Sequence, residues 1–271
     1  MSEAANWDML VVGGTVLTME PDSKPIKNGA VAVADGRIAA VGPAEELLEM
    51  SPSGEVLNAG NSLILPGLVN THSHLGMTLL RGIADDLPLM QWLEQHIWPA
   101  EKEHMTRESV HLGTELAAAE QLLAGVTTTT DMYFFGDEVS SVLVEAGMRG
   151  VVAESLIGFP TPRCATTEEM LDKQRELLEA YRDHPLITPS VAAHAPYSVS
   201  AADLVAEAEL AEEYEVPMQI HLSETSWEVE KLLEEKGLSP VAYLADLGVL
   251  SERTVAAHCV HVSPEDIGLL A

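Results

Sequence analysis

Apolar positions recur with two different periods along this chain. Over the first sixty residues the period is two. Met9-Leu-Val-Val12 and Thr15-Val-Leu-Thr18 read as short strands broken at Gly13-Gly14. Gly29-Ala-Val-Ala-Val-Ala34 and Arg37-Ile-Ala-Ala-Val-Gly42 alternate around Asp35-Gly36, a dipeptide suited to a tight hairpin turn. Pro43-Ala-Glu-Glu46 then opens a short helix. Residues 1–60 are therefore predicted to form a small β-sandwich-like domain. Gly13-Gly14 is no phosphate loop, because no helix carrying a Lys-Ser/Thr pair follows it.

Beyond this the pattern changes. Apolar runs near 63–69, 125–132, 149–156, 186–194, 216–222 and 253–260 alternate with helical patterns near 88–97, 106–124, 137–147, 166–183, 200–214 and 226–247. The first run, Leu63-Ile-Leu65 with Leu68 and Val69, reads as a buried strand. Repeated strand–helix alternation predicts an α/β fold with a parallel sheet covered by helices. So many repeats suggest a TIM-type (β/α)8 barrel, of which residues 61–271 hold about six strands.

Histidines mark the ends of these runs. His72 and His74 stand two apart, so in a strand they project from one face. Taken alone, the pair also fits two solvated loop residues. His194, His221 and His258 close the fourth, fifth and sixth runs. Any one of them reads more readily as structural. Four strands delivering imidazoles to one barrel rim read as a metal site, since the C-terminal strand ends of such barrels share one mouth. His96, His104, His111 and His184 fall on helices or loops and read as surface residues, and His261 is ambiguous. Glu224, three residues past His221, is placed to take a proton from a water activated at that metal. It could instead serve only the start of the next helix.

Composition narrows the function class. A 46% hydrophobic share suits a globular core, and no apolar window is long enough to span a membrane. The N-terminus does not resemble a signal peptide, and two cysteines make no disulfide framework, so the reading is cytoplasmic. With 43 acidic against 14 basic residues the net charge is −29, which argues against binding nucleic acid or an anionic membrane. We hypothesise a host with high internal salt that screens this repulsion. Stability that falls when salt is added would count against it.

Taken together, Pro66-Gly-Leu-Val-Asn-Thr-His-Ser-His74, Gly125-Val-Thr-Thr-Thr129, His221-Leu-Ser-Glu-Thr225 and Ala257-His-Cys-Val-His261 resemble the amidohydrolase superfamily, in its hydrolytic deaminase and chlorohydrolase branch. Asp86-Leu-Pro-Leu-Met-Gln-Trp-Leu-Glu-Gln-His-Ile-Trp-Pro-Ala-Glu101 is similar to the 5′-methylthioadenosine/S-adenosylhomocysteine deaminases. The resemblance spans the whole chain and makes the N-terminal piece part of a composite domain. It implies one divalent metal, usually zinc, held by His72, His74, His221 and an aspartate ending strand eight. Glu224 would shuttle protons as water attacks C6 of the adenine ring. His258 would orient that water or serve as an accessory metal ligand. Glu101 would bind the ribose hydroxyls and His194 would contact the nucleoside. Arg149 and Arg163 are candidates for the homocysteine carboxylate, with neither assigned. The superfamily commonly forms dimers or tetramers, so a homo-oligomer is compatible with the resemblance.

The strand-eight aspartate and two further strands are not found before Ala271, so the sequence is expected to be the N-terminal portion of a longer protein and inactive alone. Two rivals stand beside the nucleoside reading. One is a guanine, cytosine or 8-oxoguanine deaminase or a triazine-type chlorohydrolase; the other is a non-catalytic metal-binding fragment. The segment around Glu101 argues against the first, because a ribose-binding carboxylate has no use on a free base.

Overall fold

The structure is a computed structural model and describes residues 7–50 and 54–271. The chain divides into two units, one ending at Gly67 and the other spanning Leu68–Ala271. In the first, β1 (Met9–Val16) pairs antiparallel with β2 (Ile26–Ala34), and β2 with β3 (Arg37–Pro43). Asp35 and Gly36 both take positive φ, 51° and 69°, as the two-residue hairpin turn requires. A short helix α1 (Ala44–Glu49) follows. Both β4 (Glu55–Asn58) and β5 (Leu63–Ile64) lie parallel to β1. Alternate residues of β1 face a core of Leu10, Val12, Ala30, Ala32, Ala44 and Leu47. The described residues give this unit one sheet; a second packed sheet is not among them.

Two expectations change here. Gly13-Gly14 does not end a strand: β1 runs through the pair with a shift in register, Gly13 at φ +89°. A Cβ on Gly14 would meet the Ser62 carbonyl oxygen at 2.8 Å, so the close approach of the neighbouring chain explains the glycine. Nor is Leu63–Val69 one buried strand. Leu63 and Ile64 join β1, and the ladder stops at Pro66-Gly67, where proline has no N–H to give. Leu63 is 60% exposed and Val69 57%. The division therefore falls at Gly67, later than residue 60.

The second unit is built on one parallel sheet. Its strands are β6 (Leu68–Ser73), β7 (Val126–Tyr133), β8 (Arg149–Leu156), β9 (Ile187–Ala193), β10 (Met218–Leu222) and β11 (Thr254–His258), in sequence order across the sheet. A 3-10 turn at Leu75–Leu80 follows β6. Then α2 (Leu89–Trp92) passes through a π turn at Leu93–Ile97 into α3 (Trp98–His104). The helix predicted to stop near residue 97 thus continues to His104. Pro99 cannot give the helix an N–H, and the turn ahead of it widens instead of ending.

Between the strands lie α4 (Arg107–Leu123), α5 (Gly136–Glu145), α6 (Thr167–Tyr181), α7 (Ala201–Tyr214), α8 (Ser226–Lys236), α9 (Pro240–Asp246) and α10 (Pro264–Leu270). Hydroxyl caps at Thr106, Thr166, Ser200, Thr225, Ser239 and Ser263 satisfy N–H groups at the helix starts. The helical stretch predicted between 226 and 247 forms as two helices, because Gly237 takes positive φ and Pro240 begins the next. Leu156, Val191, Leu204, Ile220, Leu222 and Leu232 belong to the core beneath them. The sheet curls until His72 of the first strand and His258 of the last bring their rings within 5.0 Å. This is the α/β barrel architecture that the alternation predicted, with six strands. No helix among the described residues is long and apolar enough to cross a membrane.

Candidate metal and substrate site

All six strands of the curled sheet end at one mouth, and the polar groups there converge. His72 and His74 leave β6 with ring centroids 4.9 Å apart and ring planes at 84°. His221 Nε2 from β10 lies 3.2 Å from His74 Nε2. Two tetrahedral zinc–nitrogen bonds of about 2.0–2.1 Å would hold their donors about 3.3–3.4 Å apart, so the observed spacing suits one shared ion. Donor atoms of His72, His221 and His258 also lie within 4.8 Å of one another. His72, His221 and His258 thus converge as one group that His74 joins through His221, which leaves both readings of His258 geometrically open.

Their outer contacts set which nitrogen faces inward. His74 Nδ1 is 2.7 Å from the Met132 carbonyl oxygen, and His221 Nδ1 is 2.7 Å from that of His194. A carbonyl only accepts, so each Nδ1 carries the proton and each Nε2 presents a lone pair. Burial, reinforced by the neighbouring imidazoles, lowers the His72 pKa to about 4. It also holds His74 and His221 below the usual histidine range. Neutral imidazole is the ligand form.

Around this cluster lies a cavity of about 230 Å³ lined by the four histidines, His194, Glu224 and Glu101, with walls from Trp92, Trp98, Tyr133, Phe134 and Ile157. Glu224 Oε2 stands 3.7 Å from His258 Nε2, and burial raises the Glu224 pKa. His194 is lowered to about 3, first by burial and then by His74, and its Nδ1 lies 2.7 Å from Ser198 Oγ. Glu101 sits in α3, buried, and accepts a 2.7 Å hydrogen bond from the Tyr133 hydroxyl at the end of β7. Burial pushes the Glu101 pKa up to about 7, with the hydroxyl pulling the other way.

The residues read from sequence as metal, catalytic or nucleoside-binding groups line this one cavity: His72, His74, Glu101, His194, His221, Glu224 and His258. The two arginines do not. Arg149 is exposed at the start of β8, away from the strand ends. Arg163 Nη1 instead pairs with Asp137 at 2.5 Å and with buried Glu154 at 2.7 Å. His111 is tied to Glu138 at 2.8 Å, and His184 Nδ1 accepts from the Leu186 and Ile187 amides. Tyr133 was not singled out, because an aromatic in an apolar strand looks like core.

Known proteins resemble this chain over most of its length. The pattern of the amidohydrolase family matches residues 63–271, and that of the bacterial imidazolonepropionase-like composite domain matches residues 29–52. A Syntrophobacter fumaroxidans protein named 5-methylthioadenosine/S-adenosylhomocysteine deaminase is 46% identical over 97% of this chain and 60% of its own length. One of the same name from Thermodesulfovibrio yellowstonii is 44% identical over 94% of this chain and 59% of its own. Among solved structures, an adenosine deaminase from Xanthomonas campestris with bound zinc superposes with a TM-score of 0.94 at 38% identity, covering 97% of this chain and 60% of that one. A guanine deaminase from C. acetobutylicum shares the fold, with a TM-score of 0.84 at 22% identity. The chain spans about 60% of the length of the relatives it matches.

Proposed function

We propose, of a chain that belongs to the amidohydrolase family, that its site is the metal-and-nucleoside half of a hydrolytic deaminase. In the protein at the length of its relatives, the reaction would convert 5′-methylthioadenosine, S-adenosylhomocysteine or both to the inosine analogue and ammonia. The observation that carries this reading is the meeting of Glu224 and Glu101 in the cavity that also gathers five imidazoles. A base for proton transfer and a carboxylate for ribose hydroxyls then flank one metal locus.

His72, His74 and His221 are the proposed ligands of one divalent ion, zinc by preference. That ion would supply a Lewis acid able to make water nucleophilic near neutral pH. Glu224 takes the proton of the attacking water and hands it to the ring nitrogen beside C6; it then takes the proton of the new C6 hydroxyl and passes it to the amine, which leaves as ammonia while the C6 carbonyl forms. Burial raises the pKa of Glu224, the direction that helps a carboxylate hold a proton long enough to pass it on. His258, beside Glu224, orients the water. His194 faces the purine, and Glu101 accepts from the ribose hydroxyls. Trp92, Trp98 and Phe134 close the apolar sides and keep bulk water from the ring. Cys164 and Cys259 stand as free thiols, and a reducing cytoplasm is the compartment we propose.

The test is a deamination assay by ultraviolet absorbance with added zinc, on this chain and on the same chain extended to the length of its relatives. Substrates are methylthioadenosine, S-adenosylhomocysteine, adenosine and guanine. Turnover of the thioadenosines by the extended chain supports the reading. Turnover of guanine alone, or of nothing, overturns it.

A further inference from the structure

Glu228 is a fully buried carboxylate outside the cavity lining, and it grips the backbone of the site. It is the third residue of α8, after the Thr225 cap, and Thr225 Oγ1 accepts from the Glu228 amide at 3.3 Å. In the usual capping box such a glutamate turns back to the amide of the cap residue itself. Here it reaches further upstream. The Ser223 N–H donates to Glu228 Oε1 and the Glu224 N–H to Glu228 Oε2, each at 2.9 Å.

Those two amides belong to the turn that leaves β10. Ser223 is buried at φ +51°, a left-handed conformation that a serine adopts only when something holds it. Its carbonyl oxygen accepts from Val260 at 3.1 Å and from His261 at 2.9 Å, while Cys259 donates to the Leu222 carbonyl at 2.9 Å. His258 and Cys259 also take positive φ, 72° and 49°. The strained turn that presents Glu224 and the strained turn that presents His258 are therefore hydrogen-bonded together, and Glu228 secures the first from below.

We propose that Glu228 is a positioning residue for the reaction: its carboxylate fixes the Ser223–Glu224 peptides, and through Ser223 the chain after His258, so that Glu224 and His258 face the same reacting atoms. A plain helix cap would stabilise α8 and leave the site untouched. This inference rests on the deaminase reading for its kinetic arm and stands without it for its structural arm.

The structural arm is amide hydrogen exchange at Ser223 and Glu224. Both amides are expected to be slow in the wild type, and at least one of them is expected to exchange at least 10-fold faster in Glu228→Gln, because the NH2 that replaces one carboxylate oxygen cannot accept from the amide facing it. The kinetic arm uses the full-length, zinc-loaded protein and a 5′-thioadenosine. Glu228→Gln is expected to lower kcat about 100-fold, the scale of a misplaced catalytic group, with KM within 3-fold and zinc content unchanged. Affinity for a nucleoside analogue with a tetrahedral, hydroxyl-bearing carbon at position 6 should fall with kcat, while affinity for the inosine product should not. Wild-type kcat in Glu228→Gln, or fast exchange of both amides in the wild type, overturns the proposal. A wild type that turns over no 6-aminopurine nucleoside defeats the deaminase reading, and the exchange measurement then judges the clamp alone. Glu228→Ala serves as a second variant where it folds, with a loss at least as large.

Discussion

The Tyr133 hydroxyl and the Glu101 carboxylate meet across 2.7 Å from elements far apart in sequence, the end of β7 and the middle of α3. Burial pushes the Glu101 pKa up to about 7, and the hydroxyl, by bonding to the charged form, opposes it. The ionised group accepts only, which suits two ribose hydroxyls. Nucleoside KM should therefore fall as pH rises through about 7. Tyr133→Phe removes a bond that favours the ionised form, so the same limb should move to higher pH. A KM profile from about pH 5.5 to about pH 8.5 tests both shifts; identical profiles in the two proteins would contradict the coupling.

Removing the carboxylate altogether separates nucleoside from free base. Hydrogen bonds to a charged group contribute about 1.5–3 kcal/mol each. Glu101→Ala should raise nucleoside KM by about 10-fold to 100-fold on that scale and leave guanine handling unchanged. A variant that barely responds on any substrate would return the free-base reading to the front.

Glu224→Gln keeps the shape of the site and abolishes proton transfer. Loss of general acid–base catalysis costs about 10²- to 10⁴-fold in kcat, and zinc bound per chain should not change. The comparison with His258→Ala is more informative. If His258 only orients water, its variant retains zinc and loses rate. If it is a ligand, zinc affinity in a chelator competition falls together with rate. His221→Ala serves as the reference for a lost ligand.

Much of this was readable from the chain because period and spacing carry it. Alternation of strand and helix gave the barrel, and the positions of five histidines at run ends gave the rim, since strand geometry dictates which end and which face they occupy. What stayed hidden depends on contacts distant in sequence. Arg163 looked available for an anionic substrate, but its partners Asp137 and Glu154 lie 26 and 9 residues away and only the fold brings them together. Thr225-x-x-Glu228 reads as an ordinary helix start, and nothing in the spacing says that the carboxylate passes the cap and reaches Ser223. The boundary at Gly67 depends on which sheet Leu63 and Ile64 join, which their apolar character leaves undecided.

Glu207 offers a test of stability apart from the site. It is fully buried in α7, and the Gln174 side chain of α6 donates to its Oε1 at 2.6 Å, leaving Oε2 without a partner. Burial outweighs that bond and pushes its pKa from 4.5 up to about 8. Between those two values the native chain keeps the proton and the unfolded chain has lost it. The unfolded state then binds fewer protons, so stability falls as pH rises from about 4.5 to about 8 and levels off above. Glu207→Gln fills the same volume without the ionisation and removes this slope. Its melting temperature relative to wild type should be nearly constant below pH 4.5 and climb steadily to about pH 8. A difference that does not change with pH would mean that Glu207 ionises in the folded chain as freely as in the unfolded one, and that a local opening wets it.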